Sequence, residues 1–170
     1  MLTADHPAFN LAESFTGNRF FHRLCSDKPP EGSPPDPGEG NLSPEYQSGT
    51  ETILLVEDLE SLRNVIADSL EQLGYRVLSA SSGEEAVTLS NSYGGEIHLL
   101  LADVLMPQMK GPELAQKILA GRPQLKVVYV SGYPERVLAP LGVLEPGTIL
   151  IQKPFSIKIL SAKLRQALDR

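Results

Sequence analysis

The chain has 170 residues and a formal net charge of −6 at pH 7. This length allows one ordinary domain plus an extension, and the acidic balance argues against direct binding to DNA. A single cysteine, Cys25, excludes a disulfide within the chain and agrees with a reducing compartment. No apolar run approaches the ~20 residues needed to span a bilayer, so we expect no membrane span and a cytoplasmic location.

The first 50 residues predict an extension instead of a folded domain. Between Pro29 and Gly49, ten of twenty-one residues are proline or glycine. Such a segment buries too little apolar surface to offset the entropy lost on ordering. We therefore predict a largely disordered extension over residues 1–50 and a folded domain over residues 51–170.

From residue 51 onward, short aliphatic runs alternate with amphipathic stretches. The aliphatic runs predict five strands, namely TILLVED, YRVLSA, HLLLAD, KVVYVS and TILIQK. Five helices are predicted between and after them. The first ends at Gly74, and the second begins at a Ser82–Glu85 capping box and reaches Asn91. The third runs from about Pro112 to Ala120, the short fourth follows Pro134, and the fifth is capped by Ser156. This alternation is typical of a doubly wound α/β fold, a parallel sheet with helices on both faces.

Polar side chains follow four of the five predicted strands at their carboxyl ends. Glu57 and Asp58 follow the first strand, Asp103 ends the third, Ser131 ends the fourth and Lys153 follows the fifth. Ligands of doubly wound sheets bind outside these strand ends. Crowded carboxylates repel by roughly 4 kcal/mol per pair at 4 Å with an effective dielectric near 20, so a cation must lie among them. Lys153 supplies one charge, and Mg²⁺, or Mn²⁺ in its place, fits the remainder because it prefers carboxylate, water and phosphate ligands.

A carboxylate at such a site can act as a nucleophile toward a phosphoryl group once a metal ion and a cation neutralise the transferring group. Each residue alone has a simpler interpretation, since acids at strand ends commonly cap helices, lysines lie on surfaces and Ser131 precedes the turn former Gly132. Their occurrence together at successive strand ends favours a phosphoryl site with Asp103 as the nucleophile.

Residues 52–169 resemble a response-regulator receiver domain. The resemblance is carried by LLVED at the acidic pair, LLADVLMPQMKG around Asp103 with Met106, Pro107 and Gly111, VSGY at Ser131 and QKPF at Lys153. It implies a flavodoxin-like sheet of strand order 2-1-3-4-5 and a cis peptide between Lys153 and Pro154. It also implies a phosphoacceptor in a two-component system and not an enzyme beyond self-catalysed phosphorylation and dephosphorylation.

The same resemblance implies a role for each site residue. Asp103 would accept the phosphoryl group from a histidine kinase or a histidine phosphotransfer domain, while Ser131 and Lys153 would each bind a phosphoryl oxygen. The implied metal ligands are Asp58 directly, Glu57 through water, Asp103 and the backbone carbonyl of Leu105. A weak homodimer is left open.

The chain departs from the receiver pattern at Leu150, where receivers commonly carry tyrosine or phenylalanine. An aliphatic side chain has no large ring to turn inward, and Tyr133 is the nearest substitute. We therefore expect the switch residues to be Ser131, Tyr133 and Leu150. Phosphorylation is expected to reshape the loop around Tyr133 more than the face around Leu150.

Three alternative functional assignments are each distinguished from a phosphoacceptor receiver by one sequence feature. A haloacid dehalogenase-like phosphatase requires a second aspartate two residues after the nucleophile, where this chain has Leu105. A flavodoxin-like cofactor binder requires a glycine- and hydroxyl-rich loop after the first strand, where this chain has EDLES. A degenerate receiver that acts only as a protein-interaction module is disfavoured by the intact Asp103, Lys153 and acidic pair.

The context of the domain is a separate question. Arg170 follows directly on the last predicted helix, so we expect no C-terminal output domain. The stretch SFTGNRFFHRLCSDKPP weakly resembles the end of a kinase ATP-binding domain. This favours the C-terminal receiver of a hybrid sensor kinase over a free single-domain regulator.

Overall fold

A computed structural model describes residues 46–138, 144 and 147–170. The strands are β1 (Thr52–Val56), β2 (Arg76–Ala80), β3 (Leu99–Asp103), β4 (Lys126–Ser131) and β5 (Ile149–Gln152). The helices are α1 (Glu60–Gln72), α2 (Gly83–Ser92), α3 (Gly111–Leu119), α4 (Glu135–Leu138) and α5 (Ile157–Leu168). The predicted alternation of five strands and five helices is confirmed. The prediction of a disordered extension concerns mainly residues 1–45, which lie outside the described residues.

The five strands form one parallel sheet in the order β2-β1-β3-β4-β5, as the resemblance implied. In the central pair, Leu54 of β1 lies opposite Leu100 of β3. Because all strands run the same way, their carboxyl ends share one edge of the sheet. The strand order places β1 and β3 side by side, so the residues that follow them meet.

Both faces of the sheet are covered, which explains the three consecutive leucines of β3. Successive strand residues point to opposite faces, and Leu99, Leu100 and Leu101 are all fully buried. One face packs against α2 and α3 through the cluster that contains Leu100. The other face packs against α1 and α5 through the cluster that contains Leu99 and Leu101.

The start of α2 differs in one detail from the predicted capping box. Ser82 Oγ accepts a hydrogen bond from the Glu85 N–H at 3.2 Å, as predicted. The Glu85 carboxylate instead reaches one residue further back, where it accepts from the Ser81 N–H at 2.7 Å and from the Ser81 hydroxyl at 2.6 Å. Ser81 offers two donors at one place, and its hydrogen bonds lower the pKa of Glu85. The helix ends at Ser92, one residue beyond the predicted end.

Packing extends upstream of the predicted boundary at residue 51. Tyr46 packs against the cluster on the α1 and α5 side. The Gly49 N–H donates to the Leu73 carbonyl at 3.0 Å, and a Cβ at position 49 would lie only 2.3 Å from Cε1 of Tyr75. Glycine is therefore required where this segment crosses the tyrosine ring. Within the described part of the chain, no helix is long and apolar enough to cross a membrane.

Candidate phosphoacceptor and metal site

Three carboxylates meet at the carboxyl edge of β1 and β3. Oxygen atoms of Glu57, Asp58 and Asp103 all lie within 4.8 Å of one another. Glu57 is 2% exposed and Asp103 is 9% exposed, whereas Asp58 is exposed. The predicted convergence of these acids is thus present in the fold, with one open side at Asp58.

The Lys153 ammonium lies between two of the three acids. Its Nζ is 2.7 Å from Glu57 Oε2 and 2.6 Å from Asp103 Oδ2. The Lys153–Pro154 peptide is cis, which confirms that prediction. The Lys153 N–H also donates to the Ser131 carbonyl at 2.8 Å, so β4 fixes the backbone from which the ammonium extends. Lys153 therefore supplies one of the positive charges that the crowded acids require.

Burial and pairing shift the pKa values of this pair. Burial raises the pKa of Glu57, and the hydrogen bond and charge of Lys153 oppose that rise without cancelling it. Burial alone would lower the pKa of Lys153, but its hydrogen bonds to Asp103 and Glu57 outweigh this effect, and its pKa is raised. The ammonium is consequently charged at neutral pH. A further cation beside Glu57 would favour its ionised form.

Hydrogen bonds hold both carboxylate oxygens of Asp103. The Leu105 N–H donates to Oδ1 at 2.9 Å, and Lys153 binds Oδ2. At the next residue, the Val104 carbonyl accepts a hydrogen bond from the Gly111 N–H at 3.0 Å. A Cβ on Gly111 would lie 2.4 Å from the Asp103 carbonyl oxygen, so α3 begins directly against the backbone of this aspartate.

Ser131 lies at the same edge of the sheet. It follows Val130, the register partner of Asp103, and it is 1% exposed. Its Oγ accepts a hydrogen bond from the Tyr133 N–H at 3.0 Å. The Tyr133 residue is 52% exposed, while Leu150 is half-buried against the cluster that contains Leu100. Of the predicted switch residues, Tyr133 is thus joined to Ser131 by a hydrogen bond.

The contacts of two arginines, one at the carboxyl edge of the sheet and one at the end of α2, were not predicted from the sequence. Arg63 of α1 donates from Nη1 to the Glu57 carbonyl at 2.8 Å. Arg122 donates to the carbonyls of Ser90, Tyr93 and Gly95 and so caps the end of α2. That helix has no basic residue in its own last turn. Arg122 therefore takes the place of the basic side chain that often binds the last carbonyls of a helix.

A family model of the response regulator receiver domain matches residues 53–165. The chain belongs to this family. The sensor kinase CckA of Brucella abortus (strain 2308) is 33% identical over 152 residues, which is 89% of this chain and 16% of the kinase. The chain therefore spans about a sixth of that relative.

Solved structures agree with the family assignment. The crystal structure of the receiver domain from the hybrid histidine kinase CckA has 37% identity and a TM-score of 0.59, covering 69% of this chain and 98% of that one. The response regulator TrrA from Thermotoga maritima, crystallised with Mg(2+)-BeF, has 26% identity and a TM-score of 0.59, covering 70% of this chain and all of that one.

The site fits a hard divalent cation. Its three clustered side chains are carboxylates, and oxygen donors are the ligands that Mg²⁺ prefers. Three carboxylates against one ammonium leave negative charge uncompensated, and exposed Asp58 gives that charge an open side. Receiver domains bind Mg²⁺ at an acidic pocket of this kind, so the metal prediction agrees with both the family and the donor set.

Proposed function

We propose that Asp103 accepts a phosphoryl group from the phosphohistidine of a histidine kinase or a histidine phosphotransfer domain. The observation that carries this proposal is the position of the Lys153 ammonium, 2.6 Å from Asp103 Oδ2 and 2.7 Å from Glu57 Oε2. A nucleophilic carboxylate beside a fixed cation and a pair of further acids is the arrangement that phosphoryl transfer requires.

The chemistry of the step is a displacement at phosphorus. A carboxylate oxygen of Asp103 forms the new P–O bond, the P–N bond of the donor phosphohistidine breaks, and the electron pair returns to the imidazole, which takes up a proton. Asp58, Asp103, the Leu105 carbonyl and, through water, Glu57 would hold Mg²⁺, which would supply positive charge to the phosphoryl oxygens. Lys153 and the Ser131 hydroxyl would bind the remaining oxygens. The domain at most catalyses its own phosphorylation from small donors and its own dephosphorylation.

The acidic pair is expected to divide the metal binding unequally. Asp58 is exposed, so its carboxylate is free to bind the ion directly, whereas Glu57 is buried and already accepts from Lys153. We expect Glu57→Ala to raise the Mg²⁺ dissociation constant by about tenfold, within the about 10–100-fold typical of residues that support metal ligands. Asp58→Ala, which removes a direct ligand, should raise it more, by about 100-fold. Amide chemical shifts followed during a Mg²⁺ titration measure both constants.

The matched control for this comparison is Asp68→Ala, which removes an exposed acid from α1 outside the cluster. It should leave the dissociation constant unchanged. Equal losses in Asp58→Ala and Glu57→Ala would contradict the proposed division between a direct ligand and a water-mediated one.

We further propose that phosphorylation acts on the loop after β4. The Ser131 hydroxyl accepts from the Tyr133 N–H, so a movement of Ser131 toward a phosphoryl group carries that amide with it. Leu150 offers no ring and no hydroxyl. On beryllofluoride binding, amide shifts should be larger over residues 131–138 than over residues 148–152. Strong shifts over 148–152 and α5 with an unchanged 131–138 loop would refute this.

The match to the Brucella kinase bears on the context of the domain. It covers 152 residues of this chain, and residues 51–170 number only 120, so at least 32 matched residues lie within residues 1–50. The likeness to a hybrid kinase thus extends upstream of the receiver. This supports the proposal that the chain is the receiver-containing part of a hybrid sensor kinase.

A further inference from the structure

We infer that Arg63 is a positioning residue that sets the Glu57–Asp58 pair for Mg²⁺, an inference that rests on the proposed metal site. Arg63 is the fourth residue of α1, and its Nη1 donates to the Glu57 carbonyl oxygen at 2.8 Å. It contacts the backbone of the acidic pair and not a carboxylate. Its effect on the metal therefore passes through the geometry of the chain.

The bonded oxygen belongs to the peptide that joins the two acids. A peptide unit is planar, so fixing its oxygen also fixes the nitrogen and Cα of the next residue, Asp58. On the other side, the Glu57 N–H donates to the Ala80 carbonyl of β2 at 3.2 Å. The turn after β1 is thus held from the sheet at one end and from α1 at the other. This peptide therefore sets the position of the Asp58 Cα, from which the exposed side chain extends.

The position of Arg63 is not explained by helix stability. A cation near the start of a helix faces the positive end of the helix dipole, which is unfavourable. The N-cap residue of α1, Leu59, makes no side-chain capping bond, and the acid that complements the helix dipole in the first turn is Glu60. The hydrogen bond to the Glu57 peptide gives the guanidinium a role outside its own helix.

A positioning role and a purely electrostatic role of Arg63 predict opposite changes in Mg²⁺ affinity when the arginine is removed. If Arg63 acted only through its charge, removing a cation beside the acids would tighten Mg²⁺ binding. If it positions the Glu57–Asp58 peptide, removing the hydrogen bond lets Asp58 move and weakens Mg²⁺ binding. The direction of the change therefore identifies the role.

The test is Arg63→Met, which keeps an unbranched side chain and removes both the donor and the charge. We expect the Mg²⁺ dissociation constant to rise about tenfold, as for other residues that orient metal ligands, with Arg63→Lys recovering part of the loss. Amide chemical shifts of Glu57, Asp58 and Asp103 report the titration. The matched control is Lys117→Met, which removes a cation of α3 that pairs with Glu113; it should bind as wild type does.

The outcomes separate this inference from the proposed function. An unchanged or lower Mg²⁺ dissociation constant in Arg63→Met overturns the inference. If the urea midpoint of the metal-free protein also falls while the Mg²⁺ affinity is unchanged, the residue has a structural role only. Failure of the wild-type protein to bind Mg²⁺ at these residues, or wild-type affinity in Asp58→Ala, overturns the metal site itself.

Discussion

Asp103→Asn is expected to abolish phosphorylation by acetyl phosphate and the response to beryllofluoride while the domain stays folded. The asparagine has nearly the same shape, and its amide oxygen can still accept from the Leu105 N–H that now binds Oδ1. It has no carboxylate to attack phosphorus. It also relieves the repulsion between two acids that share the Lys153 ammonium. Intact-mass spectrometry after incubation with acetyl phosphate and Mg²⁺ measures the product directly.

The control for this substitution is Asp68→Asn, which makes the same chemical change at an exposed position of α1. It should be phosphorylated as the wild-type protein is. If Asp103→Asn still gained one phosphoryl group at the wild-type rate, the nucleophile would have to be a different residue. A cooperative urea transition in Asp103→Asn establishes that any loss of reactivity is chemical.

Gly111→Ala is expected to have the largest effect on stability among single-methyl substitutions near the site. The new Cβ would lie 2.4 Å from the Asp103 carbonyl oxygen and 3.2 Å from its carbon. The Asp103 backbone cannot move away easily, because it ends the β3 strand, which pairs with β1 and β4. We expect a loss of about 1–3 kcal/mol in the free energy of unfolding, the cost typical of overpacking. Displacement of the Asp103 backbone should also slow phosphorylation.

Gly94→Ala is the matched control, since a Cβ there meets no atom within 4 Å. Urea unfolding of both variants gives the difference in free energy. Equal stability of the two variants would contradict the close approach of α3 to Asp103.

The sequence predicted the fold and the convergence of the polar strand-end residues because their signals are local or follow from topology. Three buried leucines in a row identify a strand covered on both faces. The polar residues after β1, β3, β4 and β5 then converge because a parallel sheet puts all carboxyl ends at one edge. Lys153 was expected among the acids because it follows β5 at the same edge and because the repulsion between the acids requires a cation.

The remaining features depend on tertiary contacts that no local pattern records. In the sequence, Arg63 is an ordinary helix charge, and its contact with the Glu57 carbonyl depends on how α1 packs beside β1. Arg122 follows a glycine in a loop, yet it caps α2, some 30 residues earlier in the chain. Tyr46 was assigned to the proline- and glycine-rich extension on composition, although its ring packs on the core. Composition averages over a segment and misses the single residue that docks.

The most direct test of Asp103 as phosphoacceptor is chemical trapping of the phosphorylated residue. The protein is incubated with acetyl phosphate and Mg²⁺, reduced with borohydride, which converts an aspartyl phosphate into homoserine, and sequenced by tandem mass spectrometry. A parallel sample with chelator in place of Mg²⁺ should remain unreduced. Homoserine at position 103 and nowhere else is the predicted result. Reduction at Asp58, at Glu57 or at a residue outside the acidic cluster would contradict it.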